Sequence, residues 1–153
     1  HAHRFVVKDA GESEGAKLIL DGRDVTVDSY PEGHWVGPTV FEDVNPSMKL
    51  GSEEIFGPVA GLSRVKNVDE AVDLIQQVEY GNATSIFTSS GKAAREFRYK
   101  AGISMIGVNV GVAAPMAFFP FGGARGSFYG DLKAQGSDAI SFYTDRRVVI
   151  ERW

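Results

Sequence analysis

Pro58-Val59-Ala60-Gly61-Leu62-Ser63-Arg64-Val65 reads as an extended apolar segment, and the periodicity just beyond it decides the fold. Val68, Ala71, Val72, Ile75 and Val78 recur at spacings of three and four, which predicts a helix with one apolar stripe. Asn67 or Asp69 is placed to cap its start and Gly81 to end it. The pattern then repeats, with a strand over Ala83 to Thr88, a cap at Ser89 or Ser90, a helix over Lys92 to Lys100 and a third strand over Ile103 to Val108. Strand, helix, strand, helix, strand within roughly fifty residues implies right-handed crossovers and an α/β fold, with a largely parallel sheet covered by helices.

Outward from this centre the signals change. Toward the N-terminus, Phe5-Val6-Val7 through Glu14 suggests the end of a longer helix closed by Gly15, as if an upstream part preceded it. Lys17 to Leu20 and Arg23 to Val27 flank Asp21-Gly22, a pattern that predicts a hairpin, and a further strand is expected over Trp35 to Phe41. Toward the C-terminus, a Gly- and Pro-rich loop runs from Asn109 to Gly130, and Ile140 to Thr144 and Arg147 to Trp153 are strand-like. These divide the chain into a main portion, residues 1–138, and a tail, residues 139–153. An uncovered terminal strand pairs either with the edge of its own sheet or with another subunit.

Composition excludes several classes. The 153 residues carry a net charge of −4 and have no cysteine, and 43% of them are hydrophobic. That is enough for one domain with a core, without a disulfide framework. An acidic balance argues against a nucleic-acid partner. The weakly polar run from Val108 to Phe121 is broken by Asn109, Pro115 and Pro120, and is too short to span a bilayer. Charged residues from Arg4 to Glu14 leave no apolar signal segment, so a cytoplasmic protein is expected. His1, His3 and His34 lack metal-ligand spacing, so no metal is expected. Gly91-Lys92 lacks the first glycine of a phosphate-binding loop, since Ile86 stands there, and Gly122, Gly123, Gly126 and Gly130 lack dinucleotide spacing.

Glu53-Glu54-Ile55-Phe56-Gly57-Pro58 sets a carboxylate two residues before an aromatic ring, just ahead of the first strand. Adjacent acids most often form a solvated turn. This stretch, however, resembles the cofactor-contacting motif of the aldehyde dehydrogenases. His34-Trp35-Val36-Gly37-Pro38-Thr39-Val40 and Pro120-Phe121-Gly122-Gly123 resemble further segments of that family, in the order of its C-terminal third. Pro115 to Phe121, Gly126-Ser127-Phe128-Tyr129-Gly130-Asp131-Leu132 and Phe142-Tyr143-Thr144 are similar to the methylmalonate-semialdehyde dehydrogenases, although Ala124-Arg125 departs from the pattern expected there.

The resemblance implies the catalytic-domain portion of an oligomeric oxidoreductase. Such enzymes oxidise malonate or methylmalonate semialdehyde with NAD and pass the acyl group to coenzyme A with loss of carbon dioxide, in valine and inositol breakdown. It implies that Glu54 binds the cofactor ribose and that Phe56 packs beside the nicotinamide. Phe119 and Phe121 become candidate walls of the aldehyde pocket, and the tail strand a contact in a homo-oligomer, dimer or tetramer. The family's nucleophile is a cysteine thiolate, which this chain lacks. Ser104 and Ser127 have no evident base partner, so no catalytic residue is expected here and the chain alone is expected to be inactive.

Other residues stay open. Asn109 is placed either to brace the loop after the last strand or to cap its turn, and Arg125 either to clamp a substrate carboxylate or to lie on the surface. Two readings from other classes compete with the enzyme piece. One is a free-standing interaction module without chemistry; the other is a domain retaining weak NAD affinity through Glu54 and Phe56.

Overall fold

Thr39-Val40-Phe41-Glu42 alternates in burial, with Thr39 and Phe41 turned inward, and this strand organises the first half of the chain. The computed structural model describes residues 10–153, and the histidines and apolar residues before Ala10 lie outside them. The described chain separates into two units, ending at Val78 and beginning at Glu79.

In the first unit, a helical turn over residues 10–13 closes at Gly15, whose φ of 99° favours glycine, as the helix-end reading expects. Strand β1 (Lys17–Leu20) pairs antiparallel with β2 (Thr39–Glu42), which pairs parallel with β3 (Val59–Leu62). The expected hairpin between residues 17–20 and 23–27 does not form. Asp21 accepts hydrogen bonds from the backbone N–H of Arg23 and from its guanidinium, which ties Arg23 into a local turn. Gly22 turns instead toward the later segment: its N–H donates to Thr39 Oγ1 at 3.1 Å, and its carbonyl accepts from Gly37 N–H at 2.9 Å. A Cβ on Gly22 would lie 2.1 Å from the Gly37 oxygen, so the close approach requires glycine.

Between β2 and β3 lies the short helix α1 (Lys49–Ser52). Ala16, Phe41, Val44, Met48 and Leu50 form the core, Phe41 with no exposed surface, and Leu18, Ile55 and Val59 pack against it. Helix α2 (Val68–Gln77) comes next. Asn67 caps it by accepting from Glu70 N–H, while Glu70 reaches back to the Lys66 N–H, a reciprocal arrangement that satisfies two free donors. Its expected stripe is its inward side, with Val72 buried. The helix ends before Gly81, which lies in a strand.

The second unit holds two two-stranded sheets. Strands β4 (Tyr80–Gly81) and β7 (Ala124–Arg125) pair antiparallel. Strands β5 (Ala83–Ile86) and β6 (Met105–Val108) pair parallel across helix α3 (Gly91–Lys100), the expected strand–helix–strand unit with Ser90 as its cap. The single parallel sheet expected from β3 through β6 is not present among the described residues: β3 belongs to the sheet of β1 and β2.

The C-terminal strands are a second correction. Gly136–Tyr143 is helix α4, which crosses the expected boundary at 138/139, and residues 145–153 have neither helix nor strand. Ile140, Phe142 and Tyr143 favour strands in isolation, but a strand requires a partner. Here the backbone is satisfied locally, with Asp138 in the first turn, where a carboxylate is favoured, and Thr144 Oγ1 donating to the Ile140 carbonyl at 2.6 Å.

One ion-pair cluster gives the first unit a pH signature. Glu42, partly buried on β2, accepts from the Arg64 guanidinium and faces Lys17 at 3.6 Å. The hydrogen bond and charge of Arg64 lower the Glu42 pKa below the ordinary glutamate value. The stabilisation is complete at neutral pH and is lost as pH falls through that lowered value. Melting temperature followed from neutral to acidic pH should therefore fall less steeply in Glu42→Gln than in the parent, and the difference should shrink in high salt because Arg64 is exposed.

Candidate active site

Ile55 determines how the cofactor-like motif is displayed. Glu53 closes α1, its N–H donating to the Lys49 carbonyl at 2.9 Å, and the chain is extended at that residue. Ile55 packs on the core around Phe41, while its two neighbours do not belong to that core. Glu54 and Phe56 are both exposed, Phe56 to 84%. Two tight turns, Gly57 N–H to the Ile55 carbonyl and Val59 N–H to the Gly57 carbonyl, both 2.8 Å, then deliver the chain into β3. Among the described residues the Glu54 carboxylate makes no hydrogen bond or ion pair, so its acceptor capacity is available to a ligand such as a sugar diol.

Phe119 and Phe121 belong to the second unit, apart from Glu54 and Phe56 in the first, and each pair is set by its own surroundings. Phe119 lies in a turn closed by its N–H to the Met116 carbonyl at 2.9 Å, its ring 4.7 Å from that of Phe118. Phe121 is more firmly held. It exchanges both backbone hydrogen bonds with Ala134, at 2.8 and 2.9 Å, an isolated antiparallel bridge. Both rings are partly open to solvent, Phe119 at 54% and Phe121 at 41%.

Asn109 shows how the loop that leads to these aromatics leaves the sheet. Its φ of 57° lies in the left-handed region that asparagine tolerates. Its backbone N–H donates to the Ile86 carbonyl; its side-chain carbonyl accepts from Thr88 N–H at 2.8 Å, and its amide donates to the Thr88 carbonyl at 3.0 Å. The side chain thus continues the β5–β6 ladder by one step after the backbone has turned away.

Arg125 donates to the Ala101 carbonyl at the end of α3 at 3.1 Å, a favourable place for a cation. Ser127 Oγ accepts from Gly81 N–H at 3.0 Å, a structural role. Lys133 donates to the Gly123 carbonyl and sits 4.3 Å from the Phe128 ring centroid. Sequence spacing gives no signal for Lys133, because its partners lie in loops five and ten residues away. Among the described residues no group of His, Asp and Glu is placed to hold a metal, and no helix is long and apolar enough to cross a membrane.

The aldehyde dehydrogenase family model matches residues 4–149. Malonate-semialdehyde dehydrogenase 1 of Bacillus licheniformis is 50% identical over 145 residues, which cover 95% of this chain and 29% of that protein. Malonate-semialdehyde dehydrogenase of Listeria monocytogenes matches with the same identity and extent. Two crystal structures superpose with TM-scores of 0.91 at 42% identity, over 97% of this chain and 30% of theirs. One is a Sinorhizobium meliloti protein assigned as a methylmalonate-semialdehyde dehydrogenase and complexed with NAD; the other is methylmalonate-semialdehyde dehydrogenase from Oceanimonas doudoroffii. The chain spans less than a third of the length of these relatives, shares that give an extent and not a position along them.

Removing the Asn109 side chain should loosen the exit from β6. Asn109→Ala loses two hydrogen bonds and places a Cβ-bearing residue without local compensation at positive φ, at a cost of about 2 kcal/mol. Asn109→Gly recovers the backbone freedom but not the bonds and should cost less; denaturant unfolding of the two variants measures the order.

Proposed function

Because the chain belongs to the aldehyde dehydrogenase family, we propose that it is part of an NAD-dependent, CoA-acylating dehydrogenase for malonate or methylmalonate semialdehyde. The observation that carries this reading is the exposure of Glu54 and Phe56 on either side in sequence of a core-packed Ile55, the carboxylate without a protein partner among the described residues. A carboxylate in that state suits a ribose diol, which offers two O–H donors, and a neighbouring exposed ring suits a flat heterocycle. NAD, when bound, accepts the hydride. This chain's contribution is to fix where the ribose sits, and so where the ring it carries is held.

The semialdehyde specificity is supported by 50% identity to proteins named malonate-semialdehyde dehydrogenases. In the same reading Phe119 and Phe121 line the aldehyde pocket, coenzyme A accepts the acyl group, and the nucleophilic cysteine lies outside these residues. Motif order alone is our ground for assigning the chain to the C-terminal third. The complete protein is read as a cytoplasmic homo-oligomer in valine or inositol catabolism, to whose subunit contact residues 145–153 contribute. Val148 and Ile150 there are almost fully exposed, and a segment with no helix or strand of its own can become a strand once a partner supplies a ladder. An enzyme piece is favoured over an interaction module because the relatives are named for the enzyme activity.

Two measurements test the proposal. In the enzyme encoded by the complete natural reading frame, Glu54→Gln should raise the KM for NAD about tenfold or more, the loss expected of a charge-assisted hydrogen bond, while aldehyde KM changes little. An unchanged NAD dependence removes Glu54 from the cofactor site. The purified 153-residue chain, given NAD, coenzyme A and either semialdehyde, should show no turnover; sustained formation of NADH by it would overturn the assignment of the nucleophile to residues outside the chain.

A further inference from the structure

Three consecutive places along the Phe-rich loop are held by one short segment. At the first, Gly136, with φ of 61°, lies so close to the loop backbone that a Cβ would stand 2.8 Å from the Phe118 carbonyl oxygen. At the second, Ala134 and Phe121 exchange both backbone hydrogen bonds. At the third, Lys133 Nζ donates to the Gly123 carbonyl. The segment therefore runs antiparallel to the loop as a strap.

The third place differs from the others because it is made by a side chain. The Lys133 ammonium lies 4.3 Å from the centroid of Phe128, within the range of a cation–π contact. Its aliphatic stem covers Gly122, where a Cβ would meet Lys133 Cδ and Phe128 Cε2, each at 2.8 Å. Gly122 and Gly123 are buried beneath it. The Lys133 backbone is fixed in turn, its N–H donating to Asp138 Oδ2 at 2.9 Å. One charged side chain thus closes the glycine pair directly after Phe121, and the residue that carries it is anchored from the first turn of α4.

We propose that Lys133 is a positioning residue for the aldehyde pocket: by holding the Gly123 carbonyl and covering Gly122, it fixes the loop that carries Phe121 and so sets how tightly the enzyme binds its aldehyde. The inference rests on the proposed pocket role of Phe121. It predicts a selective effect, because the loop belongs to the second unit while Glu54 and Phe56 belong to the first.

The test uses the enzyme encoded by the complete reading frame and three variants. Lys133→Met keeps the stem but removes the charge and the donor, and it should raise aldehyde KM about tenfold while NAD KM stays within about twofold. Lys133→Arg, which keeps both a donor and a cation, should recover most of that loss. Phe121→Ala reports on the pocket itself. If Phe121→Ala raises aldehyde KM and Lys133→Met does not, the positioning role is overturned while the pocket reading stands. If Phe121→Ala leaves aldehyde KM unchanged, the pocket reading fails and the inference falls with it.

A loss of kcat in proportion to melting temperature, with both KM values unchanged, would mean that Lys133 is merely structural. Hydrogen exchange on the same proteins gives a readout independent of turnover and of the yield of active enzyme. The Phe121 and Ala134 amides should exchange faster in Lys133→Met than in the parent or in Lys133→Arg, with the amides of β5 and β6 unaffected. Equal protection of Phe121 in all three would overturn the proposal.

Discussion

The burial of Phe41 is the constraint on which the first unit depends. Its ring has no exposed surface, and it clusters with Ala16 before β1, Val44 after β2, and Met48 and Leu50 at α1. A cavity in place of such a ring typically costs about 3–5 kcal/mol, a large share of the stability of a small unit. The functional consequence passes through Ile55. Because that side chain packs on the core, the motif around it is anchored, with Glu54 and Phe56 exposed beside it. A polar residue at 55 would lose the anchor without touching either exposed side chain.

The second unit is held by a different means. Among its described residues only Phe97 and Ala101 are buried hydrophobics, too few to order a loop that runs from Asn109 past Gly130. Side chains complete the backbone pairing instead. Asn109 extends the β5–β6 ladder, Arg125 closes the end of α3, Ser127 accepts the β4 amide of Gly81, and Lys133 holds Gly123. Each uses a polar group to satisfy a main-chain donor or acceptor that regular structure leaves unpaired. A loop built this way has a defined conformation with little regular structure, which suits a surface that must be shaped for a ligand.

The two helices with internal caps, α2 and α3, were legible because everything that specifies them is local: Asn67 and Ser90 at their starts, and an apolar stripe along α2. Strand pairing was legible across α3, where β5 and β6 pair parallel as the strand–helix–strand pattern predicts, but not where it depends on residues without such a local unit. Asp21-Gly22 looks like a hairpin turn, yet Thr39 supplies the side-chain acceptor that draws Gly22 toward a strand much later in the chain. Ile140, Phe142 and Tyr143 carry strand propensity, but among the described residues no strand pairs with them and the segment takes the helical conformation that satisfies its own backbone. At the site, the residues Glu54 and Phe56 were visible through their motif. Their exposure beside a core contact was not, because it depends on where Ile55 packs.

Exposed aromatic residues are numerous here, and exposure does not separate a ligand wall from a surface covered by another subunit. Phe118, Phe119, Phe142 and Tyr143 are all open to solvent to a similar or greater degree than Phe121. Restraint separates them better. A side chain that discriminates among small aldehydes must be held in place before the ligand arrives, since each freedom it keeps is lost on binding. A subunit contact can settle as it forms. Phe121 is fixed at its N–H and its carbonyl by Ala134, and the two glycines after it are covered by Lys133. Phe142 and Tyr143 sit at the end of a helix with no buried residue, where ordering is left to whatever covers it. The restrained Phe121 is therefore suited to recognition, and Phe142 and Tyr143 to assembly.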